Sequence, residues 1–248
     1  KFLAGQWLDT FVPSTPKAGG FTITSTPEEA QPISLLSSNE EGFPYLDLAV
    51  QHSPNNPPAA WLWKAEDEIT GAKLDVRVGG SFVWPPAKIE REGMKRAVFV
   101  AGGVGINPLI SMISHIDRSA VWPQRVHFLY ATKISGSHTA ISQVLFLDRL
   151  VDIAKRNPGR FTLSLFVTGE PANFVDAQIG TLASDAGVHL MQRRLTLDDV
   201  TKAVGRPDER KDAVAYVCGP PKMTDEIVEH VQKLDRMERR RVFCEKWW

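Results

Sequence analysis

Residues 98–108 read Val98-Phe99-Val100-Ala101-Gly102-Gly103-Val104-Gly105-Ile106-Asn107-Pro108, and the helical pattern Leu109 to Ile116 follows. An apolar run that ends in glycines and passes into such a pattern predicts a strand, a tight turn and a helix. Glycine lets the chain turn sharply and brings its amides against a ligand. The helix N-terminus adds unpaired N–H groups and a positive dipole end, which together suit a pyrophosphate. Pro108 is expected at the first helical position, where its missing N–H removes nothing. The spacing is G-x-G-x-x-P, with proline where the dinucleotide fingerprint carries its third glycine. A purely structural turn has the same composition. The position between strand and helix favours the ligand-binding reading.

Downstream the alternation continues. Val126 to Tyr130 and Phe161 to Thr168 read as strands, with a helix over Ile141 to Ala154 that points Val144, Leu145, Leu147 and Val151 inward. A short helix near Leu197 to Val204, the strand Ala213 to Val217, a helix over Met223 to Leu234 and a closing strand Arg241 to Cys244 complete the run. Strands alternating with helices imply a parallel sheet covered on both faces. Residues 94–248 are therefore expected to form a doubly wound parallel α/β domain that binds a nucleotide.

Upstream the texture differs. Residues 1–93 hold ten of the 17 prolines and four of the seven tryptophans, which separates them from the α/β half. Phe21 to Ser25, Leu46 to Val50 and Leu74 to Val78 each suit a half-buried antiparallel strand, parted by Gly, Pro and Asn clusters. Such spacing predicts an antiparallel β-barrel or sandwich, and Pro85-Pro86 through Gly93 reads as the connector.

Composition narrows the classes. Lys plus Arg number 29 and Asp plus Glu number 29, so the basic footprint of a general nucleic-acid binder is missing. No apolar run approaches the about 20 residues of a membrane span. Two cysteines, Cys218 and Cys244, supply neither a disulfide scaffold nor four thiolates for an iron–sulfur cluster. The six histidines form no local zinc motif, so no metal site is expected. Histidines such as His127 read as core or surface residues. Arg239 to Arg241 reads as a helix cap or a solvated face, and Arg193-Arg194 likewise, although the latter pair precedes a strand-to-helix turn within reach of a dinucleotide.

Tyr216-Val217-Cys218-Gly219-Pro220-Pro221 ends the later strand, and ligands of open α/β sheets gather at such carboxyl ends. Taken alone, Cys218 reads as a buried small hydrophobe. After the second strand, Tyr130-Ala131-Thr132-Lys133 has no acid to hold a ribose hydroxyl, while Thr132 and Lys133 suit a 2′-phosphate. Both NADH and NADPH stay open.

The two glycine-containing motifs, in this order and after a β-rich half, resemble the ferredoxin–NADP reductase-like superfamily, and nearest within it the oxidoreductase NAD-binding domain-containing subgroup. Gly20 to Ile23, Pro57-Pro58-Ala59, Gly102 to Pro108, Cys218 to Pro221 and the terminal Glu245-Lys246-Trp247-Trp248 carry the likeness over nearly the whole chain. Lys1 to Trp7, with Gly5-Gln6, resembles the family's P-G-Q strand, which implies that the barrel's first strands lie upstream.

The resemblance implies a barrel that holds a flavin (FAD or FMN) and an α/β domain that holds NAD or NADP. Gly102, Gly103, Val104, Gly105, Ile106, Asn107 and Pro108 would cradle the pyrophosphate, and Cys218, Gly219 and Pro220 would lie beside the nicotinamide. Phe21, Thr22, Ile23 and Ser25 would meet the flavin, with Phe21 packing on its ring and the Thr22 hydroxyl tuning it. Trp248 would either stack on the flavin or, with Trp247, seal the core between domains. Two departures stand out. Gly19 replaces the arginine that pairs with flavin phosphate, a strong contact when bidentate. Pro57-Pro58-Ala59-Ala60 replaces the family's hydroxyl-bearing phosphate turn.

The leading expectation is a flavin-dependent NAD(P)H oxidoreductase in which Cys218 and Thr22 serve the hydride transfer and electrons pass to a separate acceptor or partner protein. The alternative is a catalytically silent relative, used for binding or assembly, that has lost flavin. A flavin-free dehydrogenase ranks third, because no proton-transfer residue stands out. The resemblance also implies a mitochondrial location.

Overall fold

The computed structural model describes residues 1–32, 43–90, 93–134, 144–169 and 187–246. Near the N-terminus, β1 (Trp7–Phe11), β2 (Gly19–Thr22) and β3 (Asp75–Gly79) form an antiparallel sheet in the order β2-β1-β3. Two short helices, α1 (Pro57–Leu62) and α2 (Glu66–Ile69), lie between β2 and β3 in the chain. Among the described residues this sheet is three strands wide with two open edges. The expected strand Phe21 to Ser25 starts two residues earlier and stops at Thr22. Leu46 to Val50 is no strand, for its pairing is a single bridge, Leu48 to Ile23. Alternation marks a face to bury, but a strand also needs a neighbour that continues in register.

The larger sheet contains β4 (Arg96–Gly102), β5 (Arg125–Lys133), β6 (Phe161–Thr168), β7 (Val188–Met191), β8 (Ala213–Cys218) and β9 (Val242–Glu245), all parallel, in the order β7-β6-β5-β4-β8-β9. Every residue of β4 and β8 is buried, as near-continuous apolar runs demand of central parallel strands. One face packs on α3 (Ile106–Ser119) and α4 (Leu147–Arg156), and the other on α5 (Leu197–Val204) and α7 (Pro221–Lys233). The four-residue α6 (Pro207–Arg210) leads into β8. A mixed α/β chain with a small antiparallel sheet and a larger doubly wound parallel one is the observed architecture.

The chain leaves β4 toward β5, β6 and β7, then returns to the other side of β4 for β8 and β9. That reversal opens a crevice between the carboxyl ends of β4 and β8, where doubly wound sheets bind ligands.

Several local expectations shift. The helix expected from Ile141 begins at Leu147, with residues 141–143 outside the described residues, and Leu145 faces solvent at 36% exposure. Phe146, at φ 59°, breaks the approach to α4 and so uncouples Leu145 from the helical face. Arg241 does not face solvent, because its guanidinium is buried and donates to the Gly93 carbonyl at 3.0 Å.

The two sheets are joined by packing and by hydrogen bonds. Ala4, Phe82 and Trp84 belong to the core of the large sheet, and the buried Tyr216 hydroxyl donates to the Val83 carbonyl at 2.9 Å. The α3 helix reaches back as well: Ser111 Oγ donates to the Ser25 carbonyl at 2.7 Å, and Asn107 Nδ2 to the Ala49 carbonyl at 2.9 Å.

Candidate functional site

The glycine turn lies where its sequence places it, at the carboxyl end of β4. Gly103 to Gly105 form one 3₁₀ turn that runs directly into α3. No side chain caps that helix and no acidic residue stands in its first turn; the Ile106 N–H already donates to the Gly103 and Val104 carbonyls and Pro108 has none, so the dipole end and the exposed Gly103–Val104 backbone are what face an anion. Pro108 occupies the third helical position, not the first, because the helix starts two residues earlier than the proline suggests. It still falls among the leading residues whose N–H has no helical partner.

The glycines divide the work. Gly103 has φ +53° and an added Cβ there would meet nothing within 4 Å, so it forms an open crest together with the half-exposed Val104. Gly105 is buried instead. A Cβ on it would lie 2.3 Å from the Cys218 carbonyl oxygen and 2.7 Å from Gly219 Cα. The two motifs, more than a hundred residues apart, thus touch backbone to backbone, with Ala101 and Cys218 in register across β4 and β8. Cys218 is 1% exposed. Glu245 stands abreast of it at the end of β9, and burial pushes its carboxyl up to about 7.

Beside the crest lies a cleft of about 680 Å³, in the range of small-ligand sites. It runs from Gly102 and Gly103 across Thr132 and Lys133 at the end of β5 and Phe166 and Thr168 on β6. Arg194 and Leu195, and Lys222 and Met223 of α7, complete its lining. Arg193 is otherwise engaged: its guanidinium clasps Asp199 at 2.6 and 2.8 Å and lies 5.2 Å from the Phe166 ring centroid. That ion pair, with the Thr196 cap, holds the Asp199 carboxyl far below the usual range. The α7 residues and Thr168 were not legible as lining from sequence. The only local signal is that Lys222 and Met223 follow Pro220-Pro221 at a helix start.

Other proposed residues sit apart from this cleft. Asn107 turns its amide toward Ala49, and its Oδ1 is buried without a partner. Ile106 and Pro108 are buried beneath the turn. Trp248 and Trp247 lie outside the described residues. His127 is at the opposite end of the sheet, 2.8 Å from Arg96, where burial and two arginines hold it down to about 4.

The stretch assigned to flavin has a different character. Ile23 and Ser25 are fully buried and Thr22 nearly so, while Phe21 is half-buried. Ser25 is committed, since its Oγ accepts from the Asp47 N–H at 3.0 Å and its carbonyl from Ser111. A Cβ on Gly19 would lie 2.6 Å from both the Phe21 ring and Pro58 Cβ, so no arginine fits where the family places one. At the start of α1, Pro57 and Pro58 have no N–H. The next two are used, Ala59 N–H by Asn56 Oδ1 at 3.5 Å and Ala60 N–H by the Asn56 carbonyl at 2.8 Å. These residues do not fit a flavin phosphate.

A glycine crest over a helix start, at the switch point of a doubly wound sheet, is the architecture of a nucleotide-binding α/β protein. The sequence profile of the ferric reductase NAD binding domain matches residues 94–232. An oxidoreductase NAD-binding domain-containing protein 1 of Xenopus laevis is 31% identical over all of this chain and 70% of its own length. Its Bos taurus counterpart is 30% identical over all of this chain and 72% of its own. The fold is shared with ferredoxin-NADP+ reductase from Plasmodium falciparum at a TM-score of 0.61 and 16% identity, covering all of this chain and 84% of that one. The chain belongs to the ferric reductase NAD-binding family, in the group of oxidoreductase NAD-binding domain-containing proteins, and its cofactor is NAD(P). Among the described residues no helix is long and apolar enough to cross a membrane, and no group of three or more His, Cys, Asp or Glu could hold a metal ion.

Proposed function

We propose that the chain is a dinucleotide-binding and assembly member of this oxidoreductase group that seats NAD(P) without anchoring a flavin phosphate. The observation that carries the reading is the difference between two helix starts. The one at Gly103 has an exposed Gly103–Val104 crest with open space above it and no capping side chain, and the one at Pro57 starts with two residues that have no N–H and a third that is capped. In this reading the Gly102–Gly105 turn binds the pyrophosphate through backbone N–H groups. The Cys218–Gly219 edge orients the nicotinamide, and Gly105 keeps the two turns close enough to act on one ligand.

The test is the visible spectrum of the purified protein together with calorimetric titration by NADH and NADPH. A colourless protein that binds a dinucleotide supports the proposal. A yellow protein with one flavin per chain, bleached by NADH or NADPH, overturns it.

That second result would favour flavin-dependent hydride transfer from nicotinamide to flavin, with electrons leaving to an acceptor or partner protein. The approach of Cys218 to the dinucleotide turn favours this reading in particular. It would require Phe21 and Thr22 to hold a flavin by its ring alone, with Trp248 covering it. A mitochondrial location belongs to the same proposal and is checked by fractionation of cells expressing the full-length protein.

A further inference from the structure

We infer that the dinucleotide cleft selects NADPH over NADH, with Lys133 and Arg194 gripping the 2′-phosphate. The inference rests on the dinucleotide seat proposed above and adds which dinucleotide fills it.

The direction of the ligand follows from the sheet. With the pyrophosphate over Gly103 at the end of β4 and the nicotinamide toward Cys218 on β8, the adenosine half must run the other way, over β5. Neighbouring strands are about 4.8 Å apart, close to the span of one ribose. The adenosine ribose therefore lands over the end of β5, at Thr132 and Lys133, and the base continues toward Phe166 on β6. Arg194, in the loop between β7 and α5, lines the same cleft.

The chemistry at that position is cationic. Discriminating for NADH normally takes a carboxylate near the end of the strand that follows the glycine turn, which accepts from the ribose 2′-hydroxyl and repels a phosphate. From Ala131 through Leu147 the sequence has no Asp or Glu. The one carboxylate among the described lining residues, Glu226, is on α7, away from the end of β5, and has Lys222 3.9 Å from it. Lys133 and Arg194 have no ion-pair partner among the described residues, and both are exposed. The neighbouring Arg193 is held by Asp199, so of the arginine pair only Arg194 is left to reach a ligand. A flexible ammonium beside a planar guanidinium suits a phosphate dianion, the guanidinium supplying paired donors and the ammonium a point charge.

The experiment is paired titration of the intact chain with NADPH and NADH, for the wild type, Lys133→Ala, Arg194→Ala and Arg194→Glu, with thermal melts to confirm that each variant folds. NADPH is expected to bind at least tenfold more tightly than NADH. Each alanine variant should shrink that ratio at least fivefold, and Arg194→Glu should bring it to one or below. Equal or tighter binding of NADH by the wild type would overturn the inference and leave the dinucleotide seat standing. So would variants that weaken both dinucleotides by the same factor. Binding of neither dinucleotide would overturn the seat itself, and the inference with it.

Discussion

Two helix starts in this molecule resemble each other in place, each at the N-terminus of a helix, and differ in what their first residues present. α3 begins in a glycine crest with no capping side chain and an open left-handed Gly103. α1 begins with two prolines, and its next two N–H groups close on Asn56. Both are helix N-termini, yet anion binding depends on donors that are free and reachable more than on the helix itself. The missing arginine at Gly19 and the closed turn at Pro57 lie against each other, since Pro58 and the Phe21 ring occupy the space an arginine would need. The two departures from the family pattern in the smaller sheet's region thus form one packed corner, not two unrelated substitutions.

The largest effect is expected from Gly105→Val. Its side chain would meet the Cys218 carbonyl and drive the two turns apart, so stability should fall by about 3 kcal/mol and dinucleotide binding should be lost. Thermal unfolding and calorimetric titration check both, and retained binding would break the comparison. Gly19→Arg comes next. Restoring the family's residue should destabilise by about 2 kcal/mol through collision with Phe21 and Pro58 and should not produce a yellow protein. Stoichiometric flavin in that variant would show that the corner is still a latent seat.

Gly103→Ala should cost about 1–2 kcal/mol, because its φ is left-handed while the space around it is open. It should weaken NADH and NADPH to the same degree, which separates the crest from the selectivity carried by Lys133 and Arg194. Asn56→Ala removes the cap of α1 and should cost about 1 kcal/mol in denaturant unfolding. It should leave the protein colourless, since Pro57 and Pro58 still have no N–H to offer.

The smallest expected effect is a pH dependence at Glu245. Burial raises its folded carboxyl from 4.5 to about 7, so between those values the folded chain holds a proton that the unfolded chain has released. Stability therefore declines as pH rises through that window, by about 1 kcal/mol after allowance for partial exposure. Glu245→Gln should flatten the decline in melts taken from pH 5 to 8.

Much of the larger sheet was legible because its signals are local. The β4 run, the glycine turn and the α3 periodicity follow one another within about twenty residues, and continuous apolar strands such as Ala213 to Val217 announce burial on both faces. The smaller sheet was harder to read. β1 carries a mixed Trp7-Leu8-Asp9-Thr10-Phe11 pattern, and Leu46 to Val50 alternates like a strand yet finds a single bridge. Strand existence there depends on partners far along the chain, Val76 and Gly79 for example pairing with Thr10 and Trp7. The four-residue β7 is likewise too short to announce itself and is defined by its pairing with β6.

From its residue order alone the chain determined a strand–glycine–helix unit, an alternating α/β half, the lack of an arginine at Gly19 and the lack of a carboxylate after β5. Tertiary structure decided which of those facts meet. It set Gly105 against the Cys218 backbone, folded Phe21 and Pro58 over Gly19, gave Arg193 to Asp199 and brought Arg194 and Lys133 to the lining of one cleft. The reason is that propensity and periodicity act over one or two turns of chain, whereas strand order and crossover direction bring together residues that no local pattern relates.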